Sequence, residues 1–315
     1  MRMDAPITLA ALVEPGELRA ASFIVTLYGD AVEPRGGLLW MGTLVEVCGL
    51  VGISETRVRT AVSRLVAAGR LEGMREGRRS YYRLTEAARA EFAAAAALVF
   101  APPPRPAGWL IVAADDAEAL ASAGFVALGP ELMIGPDAGP PPEAALAFAA
   151  GLRQGRAALR RFAEARWGLA AQAEAYAGFV GRFAPLATAL APAPDDEVAF
   201  VGRTLLVHAF RGVVLRDPRL PAEALPEDWP ERRARALFAR LYAQLSPAAD
   251  SFVSRAFASR DGPLARPRPP AGGSMASRPR PPASRRRGRE MSQDVEKPAS
   301  IGDASALYND RPVGQ

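Results

Sequence analysis

The chain has one cysteine, Cys48, and one histidine, His208, among its 315 residues. A single cysteine excludes an intrachain disulfide, and a single histidine excludes metal sites built from several histidine or cysteine ligands. Lysine is nearly absent too, since Lys297 is the only one and almost all positive charge is therefore arginine. We expect no metal, no cofactor and a reducing environment.

Long apolar runs and enzyme motifs are also missing. No stretch approaches the roughly 18 consecutive apolar residues of a membrane span, and the first residues lack the apolar centre of an export signal. Neither a G-x-S-x-G nucleophile motif nor a glycine-rich phosphate loop occurs. We therefore expect no membrane partner, a cytoplasmic location, no catalytic residues and a protein that is not an enzyme.

The chain carries an excess of positive charge. The formal net charge is +5 and the isoelectric point is near 9.8, which favours an anionic partner. Arginine suits such a partner because its planar guanidinium matches phosphate groups and base edges. The excess of alanine and arginine is also typical of GC-rich coding, so the position of the arginines is more informative than their number.

The N-terminal third of the chain has the apolar spacing of three short helices. Residues 18–28 form one helical pattern that we expect to end at Gly29, and residues 38–48 repeat the pattern. A third helix is predicted to begin after Ser54, with only a short turn before it. Helix, short turn and helix together are typical of a helix-turn-helix unit.

The third helix has two different faces. Its apolar face is formed by Val58, Ala61, Val62 and Leu65. The opposite face is small, polar and cationic, as a helix entering the major groove of DNA requires. The residues of this face that we predict to contact DNA are Arg57, Arg59, Thr60, Ser63 and Arg64.

A basic hairpin is predicted next, with arms at 70–75 and 78–84 around a Glu-Gly turn. Alternation along its second arm predicts that Tyr81 faces outward with the arginines, whereas Tyr82 faces the core. The residues that we expect to reach DNA phosphates or the minor groove are Arg78, Arg79, Tyr81 and Arg83. Eight arginines and three glutamates lie between residues 54 and 83. This segment alone therefore carries a net charge as large as that of the whole chain.

We predict a mainly α fold with small β elements (α+β). A helix should span 86–100, the proline-rich "APPPRPAG" should be a linker, and helical periodicity dominates after residue 143. The predicted units are a flexible N-terminus (1–17), a winged helix-turn-helix domain (18–100), a linker with a reduced α+β unit (101–140), a helical effector or dimerisation domain (141–258) and a disordered tail (259–315).

Two blocks of the sequence resemble a known family. The stretches "SFIVTLYGDAVEPRGG", "VRTAVSRLVAAGRLEG" and "GRRSYYRLT" resemble the N-terminal domain of the PaaX family, repressors of bacterial phenylacetate-degradation operons. The stretch "TLLVHAFRGVVLRDPRLPAEALPEDWP" resembles that family's C-terminal domain. The sequence departs from the family between Trp109 and Gly135, where only a pared-down version of a longer ferredoxin-like middle domain remains.

The resemblance implies a partner and an effector. The chain would be a homodimeric winged-helix repressor in the bacterial cytoplasm that binds a double-stranded DNA operator. It would release the operator when an aryl-acyl-CoA, typically phenylacetyl-CoA, binds.

His208 allows two interpretations. It lies near Arg203 and Arg211 in an otherwise apolar stretch, so it is either a core histidine bonded to a neighbour or part of an effector pocket. In the second case Arg203 or Arg211 would bind a CoA phosphate and His208 the thioester carbonyl.

Two other functions stay open at this point. One is an enzyme acting on acyl-CoA or nucleic acid, with the winged domain as a platform. The other is an interaction protein whose basic tail recruits nucleic acid without sequence preference.

Overall fold

The computed structural model describes residues 18–102, 104–113, 117–139, 146–190 and 194–264. The segments 1–17 and 265–315, for which we predicted flexibility and disorder, lie outside the described residues. The described part is mainly helical with small antiparallel sheets, which confirms the predicted fold class. Its helices are α1 (Ala20–Leu27), α2 (Met41–Gly49), α3 (Glu55–Ala67), α4 (Glu86–Phe100), α5 (Ala117–Ser122), α6 (Arg156–Trp167), α7 (Leu169–Ala189), α8 (Asp196–Val214) and α9 (Glu231–Ala256).

The strands form three small sheets. They are β1 (Leu39–Trp40), β2 (Leu71–Glu76), β3 (Arg79–Leu84), β4 (Trp109–Ala113), β5 (Val126–Ala127), β6 (Met133–Pro136), β7 (Leu146–Ala150), β8 (Ala258–Ser259) and β9 (Gly262–Pro263). Their orders are β1-β3-β2, β5-β6-β4-β7 and β8-β9.

The first helix does not end at Gly29 as predicted. It passes into a π-helical turn, Tyr28–Val32, and then a 3-10 turn, Glu33–Arg35. The prediction was wrong because Tyr28 and Val32 are fully buried, so apolar packing keeps the chain helical through the glycine. The turn stops instead at Gly36, whose φ of 107° lies in the left-handed region that glycine adopts without strain.

The N-terminal unit has the winged-helix order α1, β1, α2, α3, β2, β3. The predicted hairpin is confirmed: β2 pairs with β3 in register around Gly77, which has a φ of 58°. Strand β1 adds a third strand by pairing Leu39 with Tyr82 and Trp40 with Tyr81. We had assigned Leu39 and Trp40 to the second helix, because two residues are too few to show alternation.

Helix α4 joins the wing to the rest of the chain and has the predicted bounds, 86–100. The hydroxyl of Thr85 caps it by accepting from the backbone N–H of Ala88 at 3.2 Å.

The linker that follows α4 is held against the helical region by ion pairs of Arg105. Arg105 lies 2.7 Å from the carboxylate of Asp217 and also pairs with Glu231.

The middle unit is a four-stranded antiparallel sheet with α5 beside it. Its edge strand β7 pairs with β4, so our assignment of everything after residue 141 to a helical domain is wrong at 146–150. Five small or apolar residues are too few to separate strand from helix periodicity. Trp109 of β4 is buried in a cluster with Leu169 and Leu220, which docks the sheet on the helical region.

The helical region consists of α6 to α9, with α8 buried along most of its length between α7, α9 and α4.

The segment from residue 259 onward, which we predicted to be disordered, begins within the β8–β9 hairpin. Leu264 is only 5% exposed and donates its backbone N–H to Phe257. The prediction of disorder was wrong for 259–264. It relied on the absence of periodic apolar spacing, and a single apolar residue such as Leu264 produces no such spacing even where it is buried.

The N-terminal unit and the helical region share one continuous core, and a buried network of charges joins them. We call this set the junction network; its members are Asp30, Arg35, Arg203, Tyr242 and Asp250. Arg203 of α8 donates to Asp30 at 3.0 Å and to Asp250 of α9 at 2.6 Å. Arg35 donates to Asp250 at 2.5 Å, and the Tyr242 hydroxyl donates to Asp30 at 2.9 Å.

Burial acts to lower the pKa of Arg203, yet the nearby carboxylates, Asp30 first, outweigh burial and the pKa is raised. Arg203 is 1% exposed and stays charged. The two units are therefore held together by a cation that has no access to water.

We expect Arg203→Met to lower the free energy of unfolding by about 3 to 5 kcal/mol, because it leaves the buried carboxylate of Asp30 without its cationic partner. Arg255→Met is the matched control: Arg255 pairs with Asp196 at 2.7 Å but is 65% exposed, so its loss should cost under about 1 kcal/mol. Urea unfolding of both variants measures the difference. Equal, small losses would contradict a structural role for the junction network.

Candidate nucleic-acid interface

Helix α3 presents the face that the sequence predicts. Its apolar residues Val58, Ala61, Val62 and Leu65 are all buried, and the helix packs on α1, α2 and β2. The opposite face is exposed along its length. The predicted contact residues of this face, all exposed, are Arg57, Arg59, Thr60, Ser63 and Arg64.

The three arginines of α3 differ in how they are held. Arg57 donates to the backbone carbonyl of Leu18 at 3.2 Å. Arg59 lies 2.7 Å from Glu55, and both side chains are 58% exposed. Such a pair is worth at most about 1 kcal/mol in water, so a phosphate or a guanine edge can replace the glutamate. Within the described part of the chain, Arg64 makes no ion pair.

The wing presents further cations. Arg78, Arg79 and Arg83 are exposed, as predicted. Arg83 pairs with Glu72 across the hairpin at 2.6 Å. The guanidinium of Arg79 lies over the ring of Trp40, 4.9 Å from its centre. This contact holds Arg79 in place, because an arginine stacked on an indole keeps its outward-facing donors free for a second partner.

Tyr81 is not available to DNA, contrary to our prediction. It is 4% exposed and lies on the central strand, opposite Trp40 on one side and Met74 on the other. Side chains directly opposite on neighbouring strands share a face, so these two cover the tyrosine. The prediction failed because the third strand, β1, was not foreseen. Tyr82 packs against the core, as we expected.

The predicted effector residues lie elsewhere than expected. Arg203 belongs to the junction network and is buried in its ion pairs, so it does not face a ligand. His208 bonds through Nδ1 to the hydroxyl of Thr26 at 2.9 Å, and its ring lies 5.8 Å from that of Phe23. Of our two interpretations, the geometry matches the core histidine. Burial first, and then the charge of Arg211, lower the pKa of His208 to about 4.

Arg211, unlike Arg203 and His208, lies at the edge of a cleft. It donates to Thr26 at 3.3 Å and lines this cleft of about 520 Å³, partly open to solvent, between α1, α4 and α8. The residues that line the cleft are Val25, Thr26, Gly29, Asp30, Glu91, Phe92, Ala95, Ala96, Val99, Phe100, Val207, Arg211 and Leu215.

The cleft residues of α1 and α4 were not predicted from the sequence. Phe92 and Phe100 stood in an alanine-dense helix, and the only signal that could have singled them out was their size among small neighbours. That they line the cleft depends on packing between segments far apart in the chain, since the ring of Phe100, for example, lies 5.2 Å from that of Tyr242 of α9.

The described part of the chain contains neither a cluster of metal ligands nor a membrane-spanning helix. No three histidine, cysteine or acidic side chains there come together as a metal site. No described helix is long and apolar enough to cross a membrane.

A winged helix-turn-helix with exposed arginines on its third helix and on its hairpin defines a class of nucleic-acid-binding proteins. Comparisons with known proteins give the family. The model of the PaaX-like protein family matches residues 19–88, and that of the PaaX-like protein C-terminal domain matches residues 167–255. The chain is also 37% identical over 260 residues to the transcriptional repressor PaaX of Escherichia coli, covering 74% of this chain and 82% of that protein. The chain therefore belongs to the PaaX-like family.

A solved structure gives a weaker similarity. The uncharacterized protein Rv0674 from Mycobacterium tuberculosis is 22% identical, with a TM-score of 0.46, over 74% of this chain and 97% of its own. The Escherichia coli relative is a transcriptional repressor, which favours a regulator over the enzyme that we had kept as an alternative.

The buried histidine makes stability depend on pH. The unfolded chain protonates His208 near pH 6.5 and the folded chain only near pH 4, so stability is fully present above pH 6.5 and falls as the pH is lowered. Between about pH 7.5 and about pH 5.5 we expect this group to cost about 1.3 kcal/mol. Urea unfolding of wild type and His208→Gln at both pH values isolates this cost, because all other titrating groups are common to both. Parallel losses in the two proteins would show that His208 is not the cause.

Proposed function

We propose that this protein is a transcriptional repressor that binds a double-stranded DNA operator through α3 and the β2–β3 hairpin. The observation that carries the proposal is the exposed polar face of α3, on which Arg59 and Arg64 flank the small residues Thr60 and Ser63. Small side chains let the helix backbone approach the floor of the major groove. Each flanking arginine can then donate two bonds to a guanine edge.

The wing supports a different part of the same function. Arg78, Arg79 and Arg83 project from a hairpin that follows α3 directly in the chain. Arginines on a wing can bind phosphates beside the site that the helix reads, which fixes register and orientation rather than sequence. Similarity to the Escherichia coli repressor supports this assignment.

The controlled operon and the effector are proposed from the family. We infer that the protein regulates an aromatic-acid catabolic operon of the phenylacetate type, as a cytoplasmic homodimer, and that an aryl-acyl-CoA such as phenylacetyl-CoA releases it from DNA. Of the three residues first assigned to the effector, we retain Arg211. Arg203 and His208 are assigned to the structure, because both are bonded across the junction of the two units.

We expect Arg64→Ala to weaken binding to DNA from upstream of the protein's own gene much more than binding to random DNA. A bidentate contact to a base discriminates by about 1 to 3 kcal/mol, or roughly 5- to 150-fold. Arg240→Ala, which removes the same charge from an exposed position on α9, is the control and should change neither affinity. Gel-shift titrations measure both.

Two outcomes would revise this account. Equal loss for Arg64→Ala on both DNAs would make Arg64 a phosphate contact, with no part in reading sequence. Wild-type protein that does not distinguish upstream from random DNA at any salt concentration would contradict operator binding itself.

A further inference from the structure

The cleft between α1, α4 and α8 lies at the seam between the DNA-binding unit and the helical region. One wall comes from α1, which packs on α3, and another comes from α8. The third wall is α4, which is separated from the end of the wing strand β3 by one residue, Thr85. A molecule in the cleft would therefore touch both elements that connect the helical region to the proposed DNA contacts.

The lining defines the chemistry of an occupant. Most of it is apolar, with the aromatic rings of Phe92 and Phe100 on one wall. Its two acidic side chains are already paired, Asp30 with Arg203 and Glu91 with Arg70. Arg211 supplies the cation of the lining. Such a site suits an apolar or aromatic group that carries one carbonyl or carboxylate oxygen.

The cleft is partly open to solvent. An acyl group that binds inside it can therefore carry a larger group on its carbonyl, and that group would extend through the opening. The shared chemistry is thus an aryl carboxylic acid, either free or as a thioester.

The cleft also offers a physical link to the DNA contacts. Thr26 of α1 is 2% exposed and is bonded by both Arg211 and His208 of α8. A ligand oxygen that binds Arg211 competes with the Thr26 hydroxyl for the same guanidinium. Binding would therefore weaken a contact that holds α1, and with it α3, against α8.

We propose that this cleft is the effector site: an aryl-acyl group binds between α1, α4 and α8, with its carbonyl oxygen on Arg211, and displaces α1 and the wing from the DNA-binding arrangement. This inference rests on the proposed function for the existence of an effector. It adds where the ligand binds and which contact it breaks.

The test compares two tryptophans on α4. Ala96 lines the cleft, whereas the adjacent Ala97 is exposed and does not. Calorimetry with phenylacetyl-CoA, and separately with phenylacetate, measures binding to wild type, Ala96→Trp and Ala97→Trp. We expect Ala96→Trp to lose at least about tenfold in affinity because the indole fills the cleft, and Ala97→Trp to bind like wild type. Thermal unfolding and gel shifts on upstream DNA report whether each variant is folded.

Ala96→Leu fills less of the cleft and replaces Ala96→Trp if the larger side chain prevents folding. Arg211→Gln gives an independent reading and should also weaken ligand binding. Tighter binding of phenylacetyl-CoA than of phenylacetate by wild type would assign the thioester as the ligand, and the reverse would assign the free acid.

The outcomes separate this inference from the proposed function. If wild type binds a ligand and folded Ala96→Trp or Ala96→Leu binds it equally well, the site is elsewhere and the inference is wrong, while effector control stands. If wild type binds neither compound but still selects upstream DNA, the effector class and the cleft assignment fail together and the repressor assignment survives.

Discussion

The ion pair between Arg203 and Asp30 is the interaction on which the arrangement of the two units depends. It crosses from the turn after α1 to the middle of α8, and both side chains are almost fully buried. A buried ion pair contributes little net stability compared with apolar residues, but it is very costly to break. It therefore favours one way of joining the units over other ways of burying the same apolar surface. The two residues lie within the two ranges that the PaaX-like family models match.

The docked arrangement explains why residues in the middle of α8 influence the N-terminal unit. Thr26 and Asp30 stand one turn apart on the same part of the chain, and α8 provides the partners of both. The Asp30 contact is an ion pair sealed from water, whereas the Thr26 hydroxyl accepts a hydrogen bond from Arg211 at the edge of an open cleft. The ion pair sets the position of the units. The Thr26–Arg211 bond is the weaker of the two and is the one that a ligand can replace.

The parts of the site with a repeating pattern were predictable from the sequence. The apolar face of α3 and the second arm of the hairpin follow periods of 3.6 and 2, and their burial agrees with those patterns, with Tyr81 as the exception. The rest depends on contacts between distant segments. Gly29 did not end the first helix, Tyr81 was covered by a strand only two residues long, and Arg203 found a partner 173 residues away. Local spacing carries no information about such pairings.

The central claim is that α3 and the hairpin form the DNA-contacting surface. Arginine-specific modification by phenylglyoxal, followed by mass spectrometry with and without upstream DNA, tests it at every exposed arginine at once. We predict that DNA protects Arg59, Arg64 and Arg78 and leaves Arg233 and Arg240 of α9 as reactive as in the free protein. Protection of the α9 arginines, with α3 and the hairpin still reactive, would contradict the account.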